Sequence, residues 1–133
     1  MSGERCLLDT NAIVALLQGD VRLIQLLRQA EWIGISVISR IEFLAFSGLT
    51  EADRQLFQYF LQRVEVLGLA ADDSALIEKI IAVRQQHLLK LPDAVIAAMA
   101  MQKNAALITA DREFAKATDL LTVINWNDGQ GGK

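Results

Sequence analysis

One cysteine, one histidine and one proline stand among 133 residues, and each scarcity closes off some chemistry. Cys6 alone cannot form an internal disulfide, which excludes a secreted disulfide scaffold. Cys6 and His87 together cannot fill a tetrahedral zinc site. Serine–histidine or cysteine–histidine catalysis would rest on His87, which lies in the run Gln85-Gln86-His87-Leu88 with no nucleophile beside it. It reads as a surface or half-buried helix histidine. No run approaches the ~20 apolar residues of a membrane helix; the longest nearly apolar stretch, 94–101, is too short. Met1-Ser2-Gly3-Glu4-Arg5 carries an acid where a signal peptide carries its positive region, so a cytoplasmic protein with no membrane partner is expected. Excess positive charge is also missing. A net charge of −3 argues against broad, nonspecific coating of nucleic acid. It does not argue against a nuclease, whose site must be acidic to hold cations.

The length suits one domain, expected over residues 1–127. The glycine-rich end, 128–133, reads as a flexible C-terminal tail. Between them, apolar patterning alternates strands with helices. Short, nearly all-apolar strands are predicted at 6–8, 33–37, 64–67, 106–109 and 121–124. A helix opens at Thr10 or Asn11, with Ile13, Leu16 and Leu17 on one face, and another spans 21–29. Ser39-Arg40-Ile41-Glu42 has capping-box spacing, so a helix is expected to start at Ser39 and end at Gly48. Further helices are predicted over 50–62, from Asp72 or Asp73 through Val83, over 92–103 with Pro92 at the first position, and briefly over 111–117. Strands separated by helices imply parallel pairing with right-handed crossovers. All-apolar strands imply helices on both faces. The expected fold is a three-layer α/β domain of about five strands, in which ligands bind beyond the carboxyl ends of the strands.

Four acids fall at that edge. Asp9 follows the first strand, Glu42 lies in the first turn of the helix after the second, Asp93 begins the Pro92 helix, and Asp111 follows the fourth strand. Each has a local explanation as well. Asp9 and Asp111 suit helix N-caps, Glu42 suits the returning arm of the Ser39 box, and Asp93 suits a helix N-terminus. Together they require more. Two unit charges 4 Å apart repel by about 4 kcal/mol at an effective dielectric of 20, so the cluster must take up protons or cations. An all-oxygen donor set suits Mg²⁺ or Mn²⁺. Such an ion lowers the pKa of water for attack on a phosphodiester, chemistry that needs no His, Cys or Lys.

The blocks Leu7-Leu8-Asp9-Thr10-Asn11-Ala12-Ile13, Ser39-Arg40-Ile41-Glu42, Leu91-Pro92-Asp93-Ala94-Val95-Ile96-Ala97-Ala98 and Leu107-Ile108-Thr109-Ala110-Asp111-Arg112-Glu113-Phe114 resemble the PIN-domain family. Within it they resemble the VapC-type ribonuclease toxins of toxin–antitoxin pairs. The resemblance spans nearly the whole chain in motif order and spacing. It implies strand order 3-2-1-4-5 and a metal-dependent endoribonuclease acting on RNA. By the same resemblance, Asp9, Glu42, Asp93 and Asp111 would be both catalytic and metal-binding, Thr109 would orient Asp9, and Asn11 would help shape the site. Mg²⁺ or Mn²⁺ would be the cofactor, and a cognate antitoxin and a second copy of the chain the partners. The chain departs from the family in charge, since many such toxins are basic.

Arg40, Lys90 and Arg112 neighbour three of the four acids in sequence and are candidate RNA phosphate contacts. Phe43, Phe46, Phe57, Tyr59 and Phe60 gather most of the aromatics into one helical pair. Phe43, Phe46, Phe57 and Phe60 are therefore candidates for holding an amphipathic partner helix, with core packing the alternative. Three other functions compete. A haloacid-dehalogenase-type phosphatase would use Asp9 as nucleophile, but needs a second Asp where Asn11 stands, and a catalytic Lys. A phosphoryl-receiver domain needs an Asp and a Lys at strand ends that lack them. A catalytically silent PIN-like module would bind protein or RNA without cleaving it.

Overall fold

The computed structural model describes residues 4–128. Five strands alternate with helices: β1 (Glu4–Leu8), α1 (Thr10–Leu17), α2 (Val21–Arg28), β2 (Ala30–Ser36), α3 (Val37–Leu44), α4 (Glu51–Leu61), β3 (Glu65–Leu67), α5 (Ser74–His87), α6 (Leu91–Gln102), β4 (Ala106–Ile108), a 3₁₀ helix (Arg112–Ala117) and β5 (Val123–Ile124). All pairings are parallel, in the order β3-β2-β1-β4-β5. This is the three-layer α/β/α architecture and the 3-2-1-4-5 order expected.

Alternation along the strands sorts the core into two layers. Leu7 and Leu107 face α5, α6 and the 3₁₀ helix, packing with Leu76, Ile80, Val83, Ile96, Met99 and Phe114. Cys6, Leu8, Ala106 and Ile108 face the other way, among Ile13, Leu23, Leu27, Phe43, Phe57 and Phe60. The central strand β1 is thus covered on both sides. Its all-apolar run Cys6-Leu7-Leu8 reflects that burial.

Local chemistry sets most element ends. Asp20 caps α2 by accepting from Leu23 N, and Thr50 and Asp53 form a reciprocal capping box on α4. Asp73 caps α5. At the other end of α5, Leu88 takes the left-handed conformation, φ 56°. The chain reverses there, and the Arg84 guanidinium donates to Leu89 O at 2.9 Å. That reversal delivers the start of α6 to the carboxyl edge of the sheet.

Several boundaries differ from the sequence reading: β1 and β2 start earlier, at Glu4 and Ala30, β5 starts later, at Val123, and α5 runs on to His87. Helix α3 begins at Val37, because Ser36 takes the cap by accepting from Ile38 N at 3.0 Å. Ser39 is instead buried inside the helix with its hydroxyl unpartnered among the described residues, so no Ser39–Glu42 box forms. The helix also ends at Leu44 rather than Gly48, which lies in the link to α4. Helix α6 opens at Leu91, placing Pro92 one position in. Of the expected tail, Asp128 still donates its N–H to Asn125 O at 3.1 Å, and 129–133 lie outside the described residues. Among the described residues no helix is long and apolar enough to cross a membrane.

Candidate active site

In the order 3-2-1-4-5 the direction of winding reverses between β1 and β4, and the crevice beyond their carboxyl ends is the natural ligand site. Asp9 leaves β1 there and is 6% exposed. Its Oδ1 accepts from Thr10 N at 2.8 Å, capping α1, and its Oδ2 accepts from the Thr109 hydroxyl at 2.8 Å. The local reading of Asp9 as a cap holds, and the capped carboxylate still lies at the β1–β4 junction.

Thr109 follows β4 and is itself buried. Its hydroxyl accepts from Asp111 N at 3.0 Å and from Asn11 Nδ2 at 3.4 Å, while Asn11 Oδ1 accepts from Ala110 N at 3.0 Å. Asn11 and Thr109 therefore staple the start of α1 to the loop after β4. Asp111 caps the 3₁₀ helix by accepting from Glu113 N at 2.9 Å.

Glu42 reaches this edge from the second turn of α3, not the first, and is exposed. Its Oε1 accepts from the Thr10 hydroxyl at 2.5 Å. The sequence marks Thr10 only as a possible helix opener, not as a site residue. Its partner lies 32 residues away, so no local spacing signals the pairing; its one hint is a hydroxyl directly after Asp9. Asp93, in the first turn of α6, completes the group.

Electrostatics tie the four acids together. Burial raises the Asp93 carboxyl first, and the charges of Asp111, Asp9 and Glu42 raise it further. Lys90 offsets them only in part, and the pKa reaches about 6. Asp9 is also raised, chiefly by burial and less by Glu42 and Asp111, against the lowering effect of its Thr109 and Thr10 hydrogen bonds. Desolvation and like charge both disfavour the ionised forms. Among the described residues, no three acids converge as a ready-made cage for an ion. Mg²⁺ does not require one, since it keeps several waters and is commonly held by one or two carboxylates. The open, all-oxygen edge fits a hard divalent cation on donor chemistry and charge.

The other singled-out residues divide. Lys90 is near enough to act on the Asp93 and Glu113 carboxyls, and Arg112 is exposed next to Asp111. Arg40 is not brought to the acids. Two residues along a helix turn the side chain about 200°, so Arg40 leaves α3 away from Glu42 and lines a groove with Leu44, Arg54 and Phe57. Phe43, Phe57 and Phe60 are buried core, with the Phe43 and Phe57 rings stacked 4.2 Å apart. Phe57 and Phe60 pack into the core beneath α4, while an edge of Phe43 reaches the floor of the cleft that Phe46 lines. Phe46 is 65% exposed. It lines a cleft of about 310 Å³ with Thr10, Val14, Leu17, Glu42, Leu49 and Leu56. Burial and the charge of Glu4 push the Cys6 thiol up to about 11, and His87 faces Asp119 at 3.4 Å. Neither residue offers a nucleophile–base pair.

The model of the PIN domain matches residues 6–120. The chain belongs to the PIN-domain family. The chain is similar along nearly its full length to chains of solved toxin–antitoxin complexes, VapBC complexes among them. A chain of a toxin–antitoxin complex from Klebsiella pneumoniae is 28% identical, with a TM-score of 0.74 over 91% of this chain and 97% of that one. A chain of VapBC-1 from nontypeable Haemophilus influenzae is 25% identical, with a TM-score of 0.71 over 91% and 97%. A chain of VapBC2 from Rickettsia felis, in a complex bound to a promoter DNA fragment, shares the fold at 24% identity and a TM-score of 0.72 over 92% and 98%. Comparison with curated protein sequences gives no significant match.

Proposed function

We propose that this chain is a divalent-metal-dependent endoribonuclease, the toxin of a toxin–antitoxin pair, with Asp9, Glu42, Asp93 and Asp111 as its acidic centre. The observation that carries the reading is the gathering of four acids from four separate elements at the β1–β4 edge, where Asp9 and Asp93 are partly desolvated and lie within reach of the charges of Glu42 and Asp111. A fold gains nothing in stability from such crowding, so the arrangement makes sense as a cation site. Family membership supports a ribonuclease or RNA-binding role.

In this reading Asp9, Asp93 and Asp111, with Glu42 at the rim, hold Mg²⁺ or Mn²⁺. The bound cation supplies Lewis acidity that offsets phosphate charge and lowers the pKa of attacking water. The chain's own residues do the rest. The Thr109 hydroxyl keeps Asp9 aimed by bonding the oxygen that Thr10 N does not. Asn11 fixes the loop that carries Asp111. Lys90 and Arg112 flank the acids and contact the RNA backbone, which positions a substrate without reading its sequence. The cleft between Phe46, Leu49 and Leu56 opens beside Glu42 and receives an amphipathic helix of the antitoxin. The protein acts as a homodimer in the cytoplasm.

A second reading, a catalytically silent PIN-like module that binds RNA or protein, is favoured by the lack of a ready-made acidic cage among the described residues. One experiment separates the two: end-labelled cellular RNA incubated with the purified, partner-free chain in Mg²⁺, Mn²⁺ or EDTA, beside Asp93→Asn. Discrete fragments that need metal and vanish in the variant are expected. Intact RNA with folded protein in both metals would leave the silent module as the reading.

A further inference from the structure

We propose that Thr10 is the positioning residue for Glu42, and that through it one residue aligns two carboxylates carried by different elements. The inference rests on the metal-site reading above. Thr10 opens α1, and its two polar groups go in two directions. The backbone N–H donates to Asp9 Oδ1 at 2.8 Å, and the hydroxyl donates to Glu42 Oε1 at 2.5 Å across 32 residues of sequence.

Glu42 needs such a partner more than Asp9 and Asp111 do. Asp9 and Asp111 are short side chains fixed by capping bonds to backbone N–H groups. Glu42 is exposed on the second turn of α3, where its three rotatable bonds leave the carboxylate free to sweep solvent. The residue that restrains it is stiff, because branching at Cβ limits Thr χ1. Its backbone is anchored as well, since the Asp9 cap fixes the first turn of α1. A hydroxyl donating to a carboxylate makes a short, charge-assisted hydrogen bond. It occupies only one of the two oxygens and leaves the other for a cation. Outer hydrogen-bond partners of this kind commonly contribute 10–100-fold to metal affinity.

Position strengthens the assignment. Helices α1 and α3 pack directly against each other, and the Thr10–Glu42 bond crosses that packing at the mouth of the Phe46 cleft, which both residues line. The bond therefore fixes where α3 presents its acid relative to Asp9.

The test is Mn²⁺ binding by calorimetry on the full chain, with thermal unfolding as the control for folding. Thr10→Val keeps the branched shape and removes the donor; Thr10→Ser keeps the donor. The expected result is a loss of about tenfold or more in Mn²⁺ affinity for Thr10→Val and near-normal binding for Thr10→Ser. Glu42→Gln should lose a similar amount, and Thr10→Val/Glu42→Gln no more than Glu42→Gln alone. Normal Mn²⁺ affinity in Thr10→Val, with Glu42→Gln impaired, would overturn the role of Thr10 and leave the metal site standing. A wild-type chain that binds no Mn²⁺ would overturn the metal site, and this inference with it. If Thr10→Val only lowers the unfolding temperature, Thr10 is structural and the proposal fails.

Discussion

The Thr109 hydroxyl donates to Asp9 Oδ2 at 2.8 Å while accepting from the backbone N–H of Asp111 at 3.0 Å. A single buried oxygen thus connects the ends of the two central strands. It also lowers the pKa of a carboxyl that burial raises. Thr109→Val keeps the shape and removes the donor, leaving a buried carboxylate oxygen unsatisfied. Denaturant unfolding should show a loss of about 1–3 kcal/mol, and Thr109→Ser should stay close to wild type. An unchanged midpoint in the valine variant would mean that the hydrogen bond carries no stability.

The crowded acids make a pH prediction for the metal-free protein. Asp93 has a folded pKa of about 6, raised from 3.8. Between those values the folded chain binds the proton more tightly than the unfolded chain. The associated stability is complete at low pH and is lost as pH rises through about 6. Asp9 is raised too and acts in the same sense. In EDTA, Asp93→Asn should therefore melt above wild type at pH 7.5, and the gap should narrow as pH falls through about 6 and close only below the unfolded value of 3.8. Added Mn²⁺ should raise the wild-type melting temperature at pH 7.5 and leave the variant nearly unmoved. A gap independent of pH would show that neither burial nor the neighbouring charges raise the Asp93 carboxyl.

Phe46 and Phe57 should separate partner binding from folding. Phe57 is buried and stacked on Phe43, so Phe57→Ala should cost about 3–5 kcal/mol of stability. Phe46 is mostly exposed, and Phe46→Ala should change stability by no more than about 0.5 kcal/mol. In pull-down with the cognate antitoxin, Phe46→Ala should weaken capture. Full-strength capture would remove Phe46 as an anchor.

Gly34 tests the far side of the sheet. A Cβ there would come 2.3 Å from the Trp32 ring. That ring is pinned by its Nε1–H donating to Glu65 at 2.9 Å and by the Arg5 guanidinium 4.6 Å from its centre. Gly34→Ala must push the ring away, which should cost about 1–3 kcal/mol and shift Trp32 fluorescence toward the red. Wild-type stability and emission would mean that the ring has room to move.

Much of this was legible because β1 and β4 are short apolar runs, each ending close to an acid. The period of the strands, the caps at Thr50 and Asp73 and the order of the four blocks all point to one fold. Ser36 and Ser39 show where local reading fails. Both are hydroxyl residues three positions apart at a strand–helix junction, and only packing decides that Ser36 caps while Ser39 turns inward. The aromatics divide for a related reason. Phe57 and Phe60 turn into the core from α4, whereas Phe46 lies beyond the end of α3 and stays exposed. Arg40 lies two residues before Glu42 in the motif and on the opposite side of the helix. Thr10 and Glu42 meet only once α1 and α3 have packed, so their bond had no sequence signature.

The central claim is that the four acids serve hydrolysis of RNA by water. The most direct measurement is the chemistry of the cut ends, read by mass spectrometry after incubation with Mn²⁺ in ¹⁸O-water. Attack by water on phosphorus breaks one P–O bond, so each cut should leave one linear monophosphate end carrying one solvent oxygen and one free hydroxyl end. Those ends should be absent in Asp93→Asn and in EDTA. Fragments ending in 2′,3′-cyclic phosphate, or cleavage that persists in EDTA, would contradict the account.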